Sequence, residues 1–151
     1  MIIICIIGVL LLSYSIIPTF YYKFKGTPIP NYVEEKKFLS LTFDDGPDEK
    51  YTVELLDLLK KYNIKATFFV VAKVAEENYE IIKRMEEEGH TIGLHSLEHK
   101  NGLLNGPLYT SNDFKESLRI MKRLNINVKS FRPPWGHLKF INYYKFKKNI
   151  I

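Results

Sequence analysis

The sequence predicts an α/β fold with parallel strands and crossover helices. Short β-prone runs alternate with amphipathic helical runs in the order β-α-β-α-β-α-β. The strand candidates are apolar enough to be buried on both faces. Every cluster of polar, chemistry-bearing residues falls just after a strand candidate, where parallel α/β folds build their sites.

Each element follows from its local pattern. Phe38–Phe43 alternates and runs into Asp44-Asp45-Gly46-Pro47, a strand entering a tight loop. Tyr51–Tyr62 places Leu55, Leu56, Leu59 and Tyr62 on one helical face. Ala66–Val71 is a continuous apolar, β-prone run. Asn78–Glu88 predicts a second helix with Ile81, Ile82 and Met85 inward and Gly89 as its stop. Thr91–Leu94 is a short strand ending at His95. Asn112–Leu124 predicts a third helix through Phe114, Leu118 and Met121, and Val128–Phe131 a fourth strand ending at Arg132-Pro133-Pro134.

Composition narrows the class. The 151 residues are 46% hydrophobic and 26% charged, which excludes a wholly disordered or fibrous chain and fits one domain. Cys5 is the sole cysteine, so no intrachain disulfide scaffold exists. The net charge of +5 hides three blocks: +2 over residues 1–33, −5 over 34–101 and +8 over 102–151. In the basic block, Phe140, Tyr143, Tyr144 and Phe146 interleave with Lys139, Lys145, Lys147 and Lys148. That pattern reads as a helix or linker, so no nucleic-acid partner is expected.

The N-terminus has a different character. Ile2–Tyr22 is 21 residues without a charge. At about 1.5 Å per residue this matches the roughly 30 Å of a bilayer core. Tyr21, Tyr22, Lys23 and Lys25 form an aromatic and cationic fringe. The expectation is a transmembrane helix serving as anchor over residues 1–25, a linker over 26–36 and a domain over 37–151. No basic residue precedes the apolar run and no A-x-A site follows it, which disfavours a cleaved signal peptide. Lys23 and Lys25 follow the span, which alone would place the domain in the cytoplasm.

Three clusters carry chemistry. Asp44 and Asp45 are adjacent carboxylates whose side chains point different ways, so one can bind a metal while the other takes a proton. His95-Ser96-Leu97-Glu98-His99 places two imidazoles four residues apart, close enough to meet one ion. Arg132 precedes two prolines, which hold it on an extended backbone where it can orient a carboxylate. Trp135 either stacks on a sugar ring or caps the core. An Asp with two His is an open O,N,N ligand set, the catalytic kind. With a second Asp and an Arg alongside, the reaction class is metal-assisted hydrolysis of a carbonyl compound. His95-x-x-Glu98-His99 also matches an inverted zinc-protease pattern. That reading leaves Asp44, Asp45 and Arg132 without a role.

In these segments the sequence resembles the polysaccharide deacetylase family, the NodB-homology domain of carbohydrate esterase family four. The resemblance rests on Thr42–Pro47, Ala66–Val70, Gly89–His95, His95–His99 and Arg132–Gly136, in that order across Lys37–His137. It implies a distorted (β/α) barrel that removes N- or O-acetyl groups from sugars, a hydrolase of non-peptide carbon–nitrogen bonds. The implied substrate is an acetylated polysaccharide such as peptidoglycan or a chitin-like oligomer, and the implied location an extracellular, membrane-anchored domain. It makes Asp44 the base and Arg132 its positioner. Asp45, His95 and His99 become ligands of a divalent metal, usually Zn²⁺, with Co²⁺ as the alternative. Pro133 and Trp135 line the oxyanion and sugar site, and His90 is structural. Two further family motifs, an Asp/Trp segment bracing the arginine and a Leu-x-His supplying the general acid, find no match after Gly136. The expectation is therefore an incomplete barrel in a truncated member. The alternative is an inactive, membrane-tethered fragment that binds metal or glycan.

Overall fold

A computed structural model of the chain describes residues 2–11, 13, 17, 20–21, 39–101, 105 and 107–136. The first element is helix α1, Ile2–Leu11. Strand β1, Leu41–Asp44, leads through a cis Gly46–Pro47 peptide to α2, Tyr51–Lys61. Asp48 starts that helix. Its Oδ1 accepts the Lys50 and Tyr51 amides at 2.9 and 2.7 Å, and its own amide donates to Thr52 Oγ1 at 2.8 Å, a reciprocal cap. Strand β2, Ala66–Val70, is followed by a short helix α3, Ala72–Glu77, and by α4, Tyr79–Glu87. Strand β3, Thr91–Leu94, leads to α5, Pro107–Arg123.

The sheet is parallel in the order β1-β2-β3. Leu41 pairs with Ala66 and Asp44 with Phe69; Thr67 pairs with Thr91 and Val70 with Leu94. All three strands therefore finish on one edge of the domain. Helix faces and sheet close over Leu56, Phe68, Val70, Ile82, Met85, Leu94, Phe114 and Met121, each no more than 4% exposed. At about 1.5–3 kcal/mol per buried large apolar side chain, this cluster supplies the main drive to fold. Phe43 stacks on Phe68 with ring centroids 5.4 Å apart, which fixes β1 against β2.

His90 is structural, as the resemblance implied. It is buried, and its Nδ1 accepts the Ala66 amide at 3.2 Å, tying the entry of β3 to that of β2.

Four expectations change. The Val128–Phe131 strand is reduced to one bridge, Leu94 with Phe131. The Leu94 amide donates to Ser130 O and the Arg132 amide to Leu94 O, both at 2.9 Å. Pro133 and Pro134 have no N–H to carry the ladder further. The segment sits where a fourth strand would, without its length. Helix α5 begins at Pro107, five residues before the expected Asn112, because proline suits a first helical turn. Helix α3 was not expected; six residues are too few for a helical period. Tyr62 lies past the end of α2 and is 61% exposed.

The expected transmembrane helix over Ile2–Tyr22 is not found as one span. Among the described residues no helix is long and apolar enough to cross a membrane. The 10 residues of α1 reach about 15 Å, half a bilayer core. The remainder of that run, the 26–36 linker and the aromatic-basic segment after Gly136 lie outside the described residues.

Candidate metal and hydrolytic site

The polar residues at the strand ends meet at the open edge of the sheet. Asp44 is the last residue of β1 and Asp45 the next; His95 follows β3; Arg132 follows the bridge at Phe131. These parallel strands bring together residues about ninety apart in sequence.

Asp45 Oδ1 lies 3.3 Å from His95 Nε2 and 3.1 Å from His99 Nε2. The three donor atoms lie within 4.8 Å of one another. With bonds of about 2.0–2.1 Å, a tetrahedral ion separates its ligand atoms by about 3.4 Å, so the triad fits a Zn²⁺-sized cation. Tautomer chemistry agrees. His95 Nδ1 lies 2.7 Å from the Arg132 carbonyl, which can only accept, so Nδ1 carries the hydrogen and Nε2 presents its lone pair toward Asp45 and His99. His95 is 4% exposed and cannot swing away.

The second half of the site is the Asp44–Arg132 pair. Arg132 Nη1 donates to Asp44 Oδ1 at 2.6 Å and to Thr42 Oγ1 at 3.1 Å. Thr42 and Asp44 share a face of β1 by the strand's period of two. The guanidinium also lies 4.1 Å above the centre of the Phe69 ring. Phe69 is the β2 residue paired with Asp44, so the sheet register itself places that ring under Arg132. The family's Asp/Trp brace finds no match here, and Thr42, Asp44 and Phe69 contact Arg132 in this structure. Neither Thr42 nor Phe69 was singled out from the sequence, although the alternation of β1 could have found Thr42.

Trp135 does not cap the core. It is 65% exposed, and its ring lies 5.8 Å from that of His99 at 44°. Pro133 is half-buried and Pro134 buried beneath it.

Backbone strain concentrates here. Six non-glycine residues among those described have positive φ. Asn63 and Asn125 end helices, where asparagine is tolerated. The other four are Asp45 (74°), Ser96 (89°), His99 (54°) and Trp135 (60°), all at the site. Such conformations cost on the order of 1–3 kcal/mol each and persist only where the surroundings impose them.

Those surroundings are visible around the His loop. The Ala72 and Lys73 amides at the start of α3 donate to Ser96 O and Leu97 O at 2.9 and 3.2 Å. Ser96 Oγ accepts the His99 amide at 2.9 Å. Glu98 turns away from the histidines and pairs with Lys73 and Lys100, which hold its carboxyl down at about 2. An ionised Glu98 held by two lysines does not serve as the general base that the protease pattern needs. Burial pushes the Asp113 carboxyl up to about 6, against the lowering effect of its bond to the Leu97 amide.

Comparison with known proteins agrees with this geometry. The family model for polysaccharide deacetylase matches residues 31–144. Two peptidoglycan-N-acetylglucosamine deacetylases of Bacillus cereus are similar. One is 39% identical over 104 residues, covering 68% of this chain and 38% of the relative. The other is 33% identical over 129 residues, covering 85% of this chain and 58% of the relative. Among solved structures, the Bc1960 peptidoglycan N-acetylglucosamine deacetylase superposes with a TM-score of 0.71 at 33% identity, covering 83% of this chain and 64% of that one. The chain belongs to the polysaccharide deacetylase family. It spans about half the length of the curated relatives it matches.

Proposed function

We propose that the chain carries the hydrolytic site of a deacetylase acting on N-acetylated, or O-acetylated, sugars of a cell-wall polysaccharide, and that its strands belong to a distorted (β/α) barrel. The supporting observation is the junction of two half-sites: the Asp45–His95–His99 triad and the Asp44–Arg132 pair are joined by the bond from His95 Nδ1 to Arg132 O. A divalent cation, Zn²⁺ or Co²⁺, held by the triad would polarise the attacking water and the acetyl carbonyl. Asp44 takes the proton of that water. Arg132, 2.6 Å from Asp44 Oδ1, holds that carboxylate in place. Trp135, exposed beside His99, offers a stacking face to a sugar ring, with Pro133 stiffening its loop.

A second reading, a tethered protein that binds metal or glycan without turnover, draws on one sequence fact. The 151 residues contain no Leu-x-His after the third motif, and their last histidine is His137. The test is acetate release from N-acetylglucosamine oligomers by the Zn²⁺-loaded chain. Release that disappears in Asp44→Asn supports the deacetylase reading. Release unchanged in Asp44→Asn overturns the role of Asp44, and metal binding with no release favours the second reading.

The apolar N-terminus supports a membrane anchor through Ile2–Tyr22, with the domain outside the cell, where a cell-wall substrate lies. Such a chain stays in the membrane fraction at high salt, because apolar insertion is not screened as charge attraction is. It is also cut by protease added to intact cells. Release by salt, or protection from external protease, would contradict this placement.

A further inference from the structure

We propose that Asp113, on helix α5, is a positioning residue that sets the spacing of the His95–His99 pair. The inference rests on the metal-site reading above. The peptide midway between the two histidines is Leu97, and both of its polar groups are clamped. Its carbonyl accepts the Lys73 amide from α3 at 3.2 Å. Its amide donates to the Asp113 carboxylate, whose two oxygens lie 3.2 and 3.3 Å away. The loop is thus gripped from opposite sides by two helices, across the turns that Ser96 and His99 make at φ of 89° and 54°.

Asp113 is an unusual choice for a merely structural contact. It is an acid on a helix face beside Thr110, Phe114 and Ser117, all buried. A carboxylate there pays a desolvation cost that an amide or an apolar side chain would avoid. Among the described residues its carboxylate is hydrogen-bonded only by the Leu97 amide. Ser117 Oγ donates to the backbone carbonyl of Asp113 at 2.6 Å, which steadies the helix without touching that carboxylate. The acceptor is therefore aimed at one place, the middle of the ligand loop. Groups that orient metal ligands from behind typically change metal affinity by about 10–100-fold when removed.

The experiment compares the full chain with Asp113→Ala, Asp113→Asn and Ser117→Ala. It measures Zn²⁺ affinity by competition with a chromophoric chelator, the visible spectrum of the Co²⁺ form, and thermal stability of the metal-free protein. Asp113→Ala is expected to weaken Zn²⁺ binding about 10–100-fold and to alter the Co²⁺ bands. Asp113→Asn, which keeps an acceptor for Leu97, restores affinity toward wild type. Ser117→Ala loses thermal stability but keeps wild-type affinity and bands. A folded Asp113→Ala with wild-type affinity and spectrum overturns the proposal. So does equal weakening by Ser117→Ala, which would mark a general loss of stability. Should Asp113→Ala not fold, Asp113→Glu displaces the acceptor by one methylene and must still shift the Co²⁺ bands; unshifted bands overturn the proposal. A wild-type chain that binds neither ion overturns the metal-site reading itself.

Discussion

The full chain is expected to retain one Zn²⁺ per molecule through gel filtration, and His99→Ala to retain almost none. Asp45 Oδ1 stands 3.1 Å from His99 Nε2 and 3.3 Å from His95 Nε2, so each protein donor supplies one corner of the same small polyhedron. Removing His99 leaves one carboxylate oxygen and one imidazole. Two ligands fall short of the three protein donors a catalytic zinc site uses. The loss should be specific, because His99 is only half-buried and its side chain fills no core position. Circular dichroism should therefore match wild type while metal content, read by atomic emission, drops. Equal metal in the two proteins would remove the triad from any functional account.

Among the described glycines, Gly93→Ala should be the most damaging change to alanine. A Cβ at this position would lie 2.6 Å from Phe69 Cδ1 and 2.6 Å from Ser130 Oγ, closer than real side chains approach. Phe69 has little freedom to retreat, being 8% exposed with the Arg132 guanidinium 4.1 Å above its ring, and the Ser130 backbone is tied to the sheet through the Leu94 amide. Overpacking of this kind costs about 1–3 kcal/mol. Relief by tilting Phe69 also lifts Arg132 away from Asp44. Both a lowered Tm and a loss of acetate release beyond what the Tm explains are expected. An unchanged Tm would show that the β2–β3 packing is looser than the structure has it.

The strands and the meeting of polar residues at their ends were legible for a common reason. Asp44, Asp45, His95 and Arg132 punctuate short apolar runs, and parallel strands must bring such punctuation to one edge. Thr91–Leu94 was placed to the residue, and β2 within one. What was not legible depends on register and on third parties. No periodicity marks Phe69 as the floor under Arg132, because that role arises from its pairing with Asp44. Helix α3 is too short to show a period, yet its first amides hold the His loop. Nothing in the sequence spacing marks Asp113; the fold places it behind Leu97. The fourth strand was overread because buried Val128 satisfies a strand pattern whether or not a ladder forms.

The bond from His95 Nδ1 to the Arg132 carbonyl has a mechanical meaning. It links a histidine at the end of β3 to a residue on an edge segment, which the sheet holds by a single bridge and the two amide bonds beside it. Edge segments of this kind open locally far more often than central strands. When this one peels away, Arg132 leaves Asp44, and His95 loses in the same event the acceptor that fixes its tautomer. The hold of Arg132 on Asp44 and the tautomer of His95 therefore fail together, as one cooperative unit. The edge works like a fuse for both contacts.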